Sequence, residues 1–190
     1  MASFTKKAIL QTFTDMLRVM PFDKITVSAL VRECGISHNT FYYHYQDIYD
    51  LLDTWLTEEV GRFVLAAGQD NWRELASAML RRCRENKRIV DHIFDSLSRD
   101  RMERYVFTLT DDFLYRYVCK RSEGRGLTKE QIQDITEFCR YAFSGFFLKF
   151  LWNDMRDDID AAIDKLDYLF SAFVEGAIDR AGRGRDGAAR

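Results

Sequence analysis

Residues 38–45 read His-Asn-Thr-Phe-Tyr-Tyr-His-Tyr. Rings that stack and phenol, imidazole and carboxamide groups that hydrogen-bond are crowded into two helical turns, a composition suited to a flat polar partner. The competing chemistry is catalysis, which needs a nucleophile, a base or a metal that converge. The chain has three histidines, and His38 and His44 both fall in this segment, leaving only His92 elsewhere. Cys34, Cys83, Cys119 and Cys139 are widely spread with no C-x-x-C pair, so neither a thiolate metal site nor a disulfide framework is expected. The acidic string Asp154, Asp157, Asp158, Asp160, Asp164 reads as a helix start rather than a metal site. No enzyme activity, metal or cofactor is expected.

The elements that position the ring row follow from periodicity. Ile9, Phe13, Met16, Leu17 and Met20 recur at helical spacing over Thr5 to Met20, and Pro21 stops that helix. Thr26 is placed to N-cap a helix to Cys34 with the stripe Val27, Leu30, Val31, Cys34. Gly35 stands where a left-handed residue is wanted, and Ser37 can cap the next helix. Two short helices joined through a glycine describe a helix-turn-helix. At 100° per residue Phe41 and Tyr45 share one side and pack back, while Asn39 and Tyr43 point away, flanked by His38, Thr40, Tyr42 and His44. In a helix-turn-helix that outward face enters the DNA major groove.

Further on, the spacing predicts helices from Asp47 to about Ala67, Trp72 to Glu85, Arg88 to Leu97 and Arg101 to Arg121. After the loop at 122–128, Thr128 with Gln131 forms a capping box opening a helix through Met155. The last helix starts at Asp158 and fades near Arg180, before a glycine-rich, charged tail. With 47% hydrophobic residues, one proline and ten glycines, the fold class is all-α, about nine helices. Residues 1–50 are expected to form a three-helix helix-turn-helix DNA-binding domain, 51–180 a helical-bundle domain, for which the family resemblance described next implies dimerisation and effector binding, and 181–190 a flexible tail. The absence of a long apolar run and of a signal-peptide layout at "MASFTKKAIL" points to the cytoplasm and away from a membrane. Net charge is -2, and residues 1–50 balance Lys6, Lys7, Arg18, Lys24 and Arg32 against Asp15, Asp23, Glu33, Asp47 and Asp50.

The string "PFDKITVSALVRECGISHNTFYYHYQDIYDLL", residues 21–52, resembles the TetR/AcrR family of transcriptional regulators in its Ile-Thr-Val entry, its turn glycine and its Thr-Phe-Tyr-Tyr-His-Tyr helix. The endings "QDIYDLL" and "FCRYAFSGFFLKFLWNDM" are similar to a subgroup related to regulators of dihydroxyacetone kinase genes. The chain departs from the family pattern at Val31, where alanine is usual, and at Gln46 and Ile48, where lysines often clamp phosphate. Backbone N–H groups near Asp47 are then the substitute phosphate holders. The resemblance implies a homodimeric repressor that binds double-stranded operator DNA and is released by a small-molecule effector. The alternative is an activator or accessory regulator whose C-terminal domain binds a partner protein. It implies a DNA-binding set of Thr26, Ser28, Ser37, His38, Asn39, Thr40, Tyr42, Tyr43 and His44. Lys6, Lys7 and Lys24 are expected to add flanking charge.

In the second half, candidate ligand-pocket residues are His92, Tyr105, Tyr115, Arg140, Phe143 and Trp152. The dimer interface is expected on the last two long helices, among Phe146, Phe147, Phe150, Leu166, Leu169, Phe170 and Phe173, about half of which are expected to be internal core.

Overall fold

A computed structural model describes residues 2–66 and 72–188. Among them are nine α-helices and no strand: α1 Ala2–Val19, α2 Val27–Cys34, α3 His38–His44, α4 Ile48–Ala66, α5 Trp72–Glu85, α6 Lys87–Phe94, α7 Arg99–Ser122, α8 Lys129–Trp152 and α9 Ile159–Ala188. A single 3-10 turn, Phe22–Lys24, follows Pro21. The end expected at Ala67 and the last two residues of the tail lie outside the described residues. α9 runs past Arg180 to Ala188, so the break read from the glycines is corrected. Each glycine costs about 1 kcal/mol against alanine. The alanines and arginines between them favour helix, and no proline intervenes.

The chain divides into two compact units, residues 1–62 with 85–102, and residues 63–84 with 103–190. α6 therefore groups with the N-terminal helices, and the 50/51 division drawn from the sequence falls inside the first unit. In that unit Ile9, Phe13 and Leu17 of α1, Leu30 of α2, Phe41 of α3 and Leu51 and Leu52 of α4 are buried. Each such side chain contributes about 1.5–3 kcal/mol by leaving water. Phe13 meets Phe22 and Trp55 edge-on at 6.2 and 6.4 Å. Trp55 closes the corner by donating its indole N–H to Thr14 Oγ1 at 2.8 Å.

The second unit is built on apolar stripes. α9 buries Ile159, Ile163, Leu166, Phe170, Val174 and Ile178, and α8 buries Ile135, Cys139, Phe143, Phe147 and Phe150. The acids of α9 line up beside this stripe and pair with arginines. Asp160 meets Arg81 at 2.5 Å, Asp164 and Asp167 meet Arg73, and Glu175 meets both Arg121 and Arg125 at 2.9 Å. Between α8 and α9, Asp154 and Met155 take left-handed φ values of 59° and 58°. Burial of the Met155 side chain and donation from Arg84 Nε to its carbonyl at 2.8 Å hold the second of them there.

Candidate nucleic-acid interface

The helix-turn-helix is assembled from caps. Thr26 Oγ1 accepts from Ala29 N–H at 3.1 Å and Ser37 Oγ accepts from Thr40 N–H at 3.1 Å. Gly35 sits at φ +70°, and Ile36 N–H reaches back to the Val31 carbonyl at 3.0 Å, closing α2 as a Schellman turn. Val31 is buried between these elements. Ser28 Oγ and His38 Nε2, 3.1 Å apart, tie α2 to the start of α3, with the donor set by the imidazole tautomer.

The ring row splits as its angular spacing predicts. Phe41 and Tyr45 are buried with ring centroids 5.6 Å apart, whereas Tyr42 is 56% and Tyr43 79% exposed. Asn39 is also exposed, and His44 is half-buried with its ring edge-on to Tyr43 at 5.0 Å. The nine residues expected at DNA therefore take different local jobs. Thr26 and Ser37 are caps, and Ser28 and His38 are bonded to each other. Thr40 Oγ1 lies 2.9 Å from Ser37 Oγ, and Asn39, Tyr42 and Tyr43 are presented to solvent. A face of this kind offers a carboxamide for base edges and phenols for phosphate oxygens and thymine methyls.

One expectation about charge is corrected, and the flanking cations are located. The N–H groups at the start of α4 are taken by the protein's own carboxylates: Asp47 Oδ1 accepts from Tyr49 and Asp50 at 2.7 and 2.9 Å, and Asp50 Oδ2 accepts from Gln46 at 2.8 Å. Two carboxylates already satisfy the helix end, so a phosphate there would meet like charge. Lys6 pairs with Glu58 at 3.5 Å and Lys24 with Asp23 at 2.8 Å. Lys7 and Arg32 are exposed and make no ion pair among the described residues. Sequence reading gave Arg32 no role, although its charge at an exposed α2 position was visible.

The expected ligand set does not converge. His92 lies in the first unit, where Nδ1–H donates to the Leu17 carbonyl at 2.7 Å, so it is a strut between α6 and α1. Trp152 is 69% exposed, Phe143 is buried core against Phe113 at 5.7 Å, and Tyr105 is half-buried. Tyr115 and Arg140 share a cleft. Of the dimer set, Phe147, Phe150, Leu166 and Phe170 are buried within their own chain. Phe146 and Phe173 are half-buried and Leu169 is exposed. Outward rings that the sequence reading did not single out are Phe138 and Tyr141 of α8 and Tyr168 of α9; Trp152 of α8, read there as a pocket residue, faces outward with them.

A family model described as the transcriptional regulator C-terminal region, of the TetR type, matches residues 70–172. This chain belongs to the TetR family of transcriptional regulators. TetR-family regulators bind operator DNA and dimerise. No curated protein sequence matches this regulator. Among solved structures it is similar to the dihydroxyacetone kinase operon activator DhaS, at 17% identity and TM-score 0.56 over 93% of this chain and 96% of that one. It is also similar to NalD, the secondary repressor of the MexAB-OprM multidrug efflux pump in Pseudomonas aeruginosa, at 15% identity and TM-score 0.54 over 91% and 98%. At these identities the likeness shows the fold alone, and one neighbour is an activator while the other is a repressor. Among the described residues of this regulator, no helix is long and apolar enough to cross a membrane.

Proposed function

We propose that this chain is a homodimeric, sequence-specific regulator that represses transcription from operator DNA and releases it when an effector binds. The observation that carries the reading is the division of α3 between buried Phe41 and Tyr45 and outward Asn39, Tyr42 and Tyr43. A helix anchored by two rings while presenting a carboxamide and two phenols is equipped to lie in a major groove. One such helix reads few bases, so useful specificity requires a second copy and paired half-sites.

The second copy docks on the outward stripe of α8 and α9. Phe138 and Phe173 stack with centroids 3.9 Å apart, and Tyr141, Trp152 and Leu169 continue the apolar face. Exposed Ala142, Gly145, Ala172 and Gly176 let opposing helices approach closely. Rings of this size left in water are the usual mark of a protein interface.

The test is anisotropy of labelled DNA from upstream of the gene, with competitor DNA at two salt concentrations, since phosphate contacts make affinity steeply salt-dependent. Saturable binding by two chains or more per site is expected, lost in Tyr42→Ala and Thr40→Ala while dimer mass and Tm hold. Survival of DNA affinity in both variants removes α3 as the reading helix. An activator docking a partner protein would bind the same DNA, with no small molecule releasing it.

A further inference from the structure

The second unit carries a polar cleft of about 380 Å³ between α7 and α8, lined by Asp111 and Tyr115 on one side and Lys129, Gln133, Thr136 and Arg140 on the other. Its size suits a small molecule, but the lining is wrong for an apolar one: a single ring and no aliphatic side chain face it. Arg140 is held in place rather than free to wander. Its Nη2 meets Asp111 Oδ1 at 2.8 Å, and its guanidinium carbon lies 5.9 Å from the Phe107 ring centroid. Its Nε–H is shut off from solvent with no acceptor among the described residues, a donor that a native structure rarely leaves idle. Lys129 is exposed, makes no ion pair among the described residues, and is the first residue of α8, where its charge adds to the positive end of the helix dipole. Asp111 is the only carboxylate in the lining, so two cations outnumber it.

We propose that this cleft binds a small polar anion, a carboxylate or phosphate monoester, between Lys129 and Arg140. Asp111 occupies Arg140 in the meantime. Its side chain is 60% exposed, so the pair is worth little and an incoming oxyanion displaces it at small cost. Bidentate recognition of an oxyanion is what a guanidinium fork does best, with Lys129 as a second point charge. Tyr115 and Gln133 belong to the same lining and offer hydrogen-bonding groups for hydroxyl or ester oxygens. As a binding site the cleft stands by itself; as an effector site it rests on the regulator reading above.

The full chain, free of DNA, is titrated by calorimetry with sodium phosphate and with sodium malate, against sodium chloride at equal ionic strength. Saturable binding of at least one of the two probes is expected, phosphate alone marking the phosphate class and malate alone the carboxylate class. Arg140→Gln should weaken it at least tenfold and Lys129→Gln about threefold. Asp111→Asn, which removes the competing carboxylate, should tighten it about threefold. Lys165→Gln, away from the cleft, should leave it unchanged. No saturable response beyond chloride, or one that Lys129→Gln and Asp111→Asn leave intact, overturns the site even if Arg140→Gln fails to fold. Operator anisotropy is then repeated with the bound probe. A change of at least fivefold, absent in Lys129→Gln, supports the effector role, and an unchanged operator affinity overturns that role. A chain that binds no DNA at all sinks the regulator reading and leaves the calorimetric result standing.

Discussion

The guanidinium carbon of Arg101, in the first turn of α7, lies 3.8 Å from the centroid of the Tyr49 ring, at the second residue of α4. Tyr49 in turn meets Phe22 edge-on at 5.2 Å, and Phe22 meets Phe13. The cation thus caps a row of rings that fixes the start of α4 on the core of the first unit. A partly exposed cation–π contact is worth about 0.5–1 kcal/mol. Arg101→Gln and Tyr49→Leu, combined in a double-mutant cycle by urea melts, should show a coupling of about that size. Zero coupling would mean that the two side chains are neighbours without being partners.

Asn39 is the one carboxamide on the outward face of α3. Replacing it with alanine should cost about 1–3 kcal/mol of operator affinity and relax preference at one base pair. Affinity for random DNA should stay unchanged. Competition with single-base operator variants checks this; an unchanged preference at every position removes Asn39 as a base reader.

Gly35 is needed for its backbone alone. At φ +70° a Cβ would meet nothing within 4 Å, so the penalty for alanine is that of the left-handed conformation, about 1 kcal/mol. Gly35→Asn should recover part of it, because asparagine tolerates that region better. Chemical melts of the two variants should therefore rank Gly, then Asn, then Ala.

Tyr45 is buried with a hydroxyl that has no hydrogen-bond partner among the described residues. Burial, and then the negative charges of Glu58 and Asp50, push its phenol well above the ordinary range. The ring holds α3 while the hydroxyl costs stability, so Tyr45→Phe should be neutral or stabilising by about 1 kcal/mol. A loss of stability in thermal melts would show that the hydroxyl is satisfied in solution.

Glu175 donates no proton to its neighbours; it accepts from Arg121, whose hydrogen bond, with the charges of Arg125 and Arg121, holds the carboxyl below the usual range despite the opposing effect of burial. A depressed folded-state pKa adds stability that is present above the unfolded value and is lost as pH falls through the folded one. The wild-type advantage over Glu175→Gln should thus be present at pH 7 and vanish in the acid range below 4.5, the ordinary carboxyl value. With a third of the side chain exposed, the effect is about 0.2–1 kcal/mol at most. Melting temperatures of both proteins from pH 7 to 3 read it directly.

The helix-turn-helix was legible from local chemistry. Thr26, Gly35 and Ser37 cap or close their helices through atoms at most five residues away, and Thr128 and Gln131 bond reciprocally as the spacing predicts. The split of the ring row followed from angle alone, because α3 is short and only one of its sides can meet α2.

Tertiary structure decided everything that depends on which of two apolar faces turns inward. α8 carries rings all round, so Phe143, Phe147 and Phe150 in the core and Phe138, Tyr141 and Trp152 in water look alike in composition and period. His92 could not be assigned to α1, nor Arg140 to Asp111, because those partners lie 75 and 29 positions away and nothing local encodes the pairing. The carboxylates at the head of α4 show the same limit: the spacing places the helix start at Asp47, but only the folded geometry shows that Asp47 caps it and that Asp50 turns back to Gln46 and closes that end. Local sequence determines where helices begin and end, since caps and turns are short-range hydrogen bonds. Which face is core, and which charges are already spent, follows from packing between segments remote in the chain.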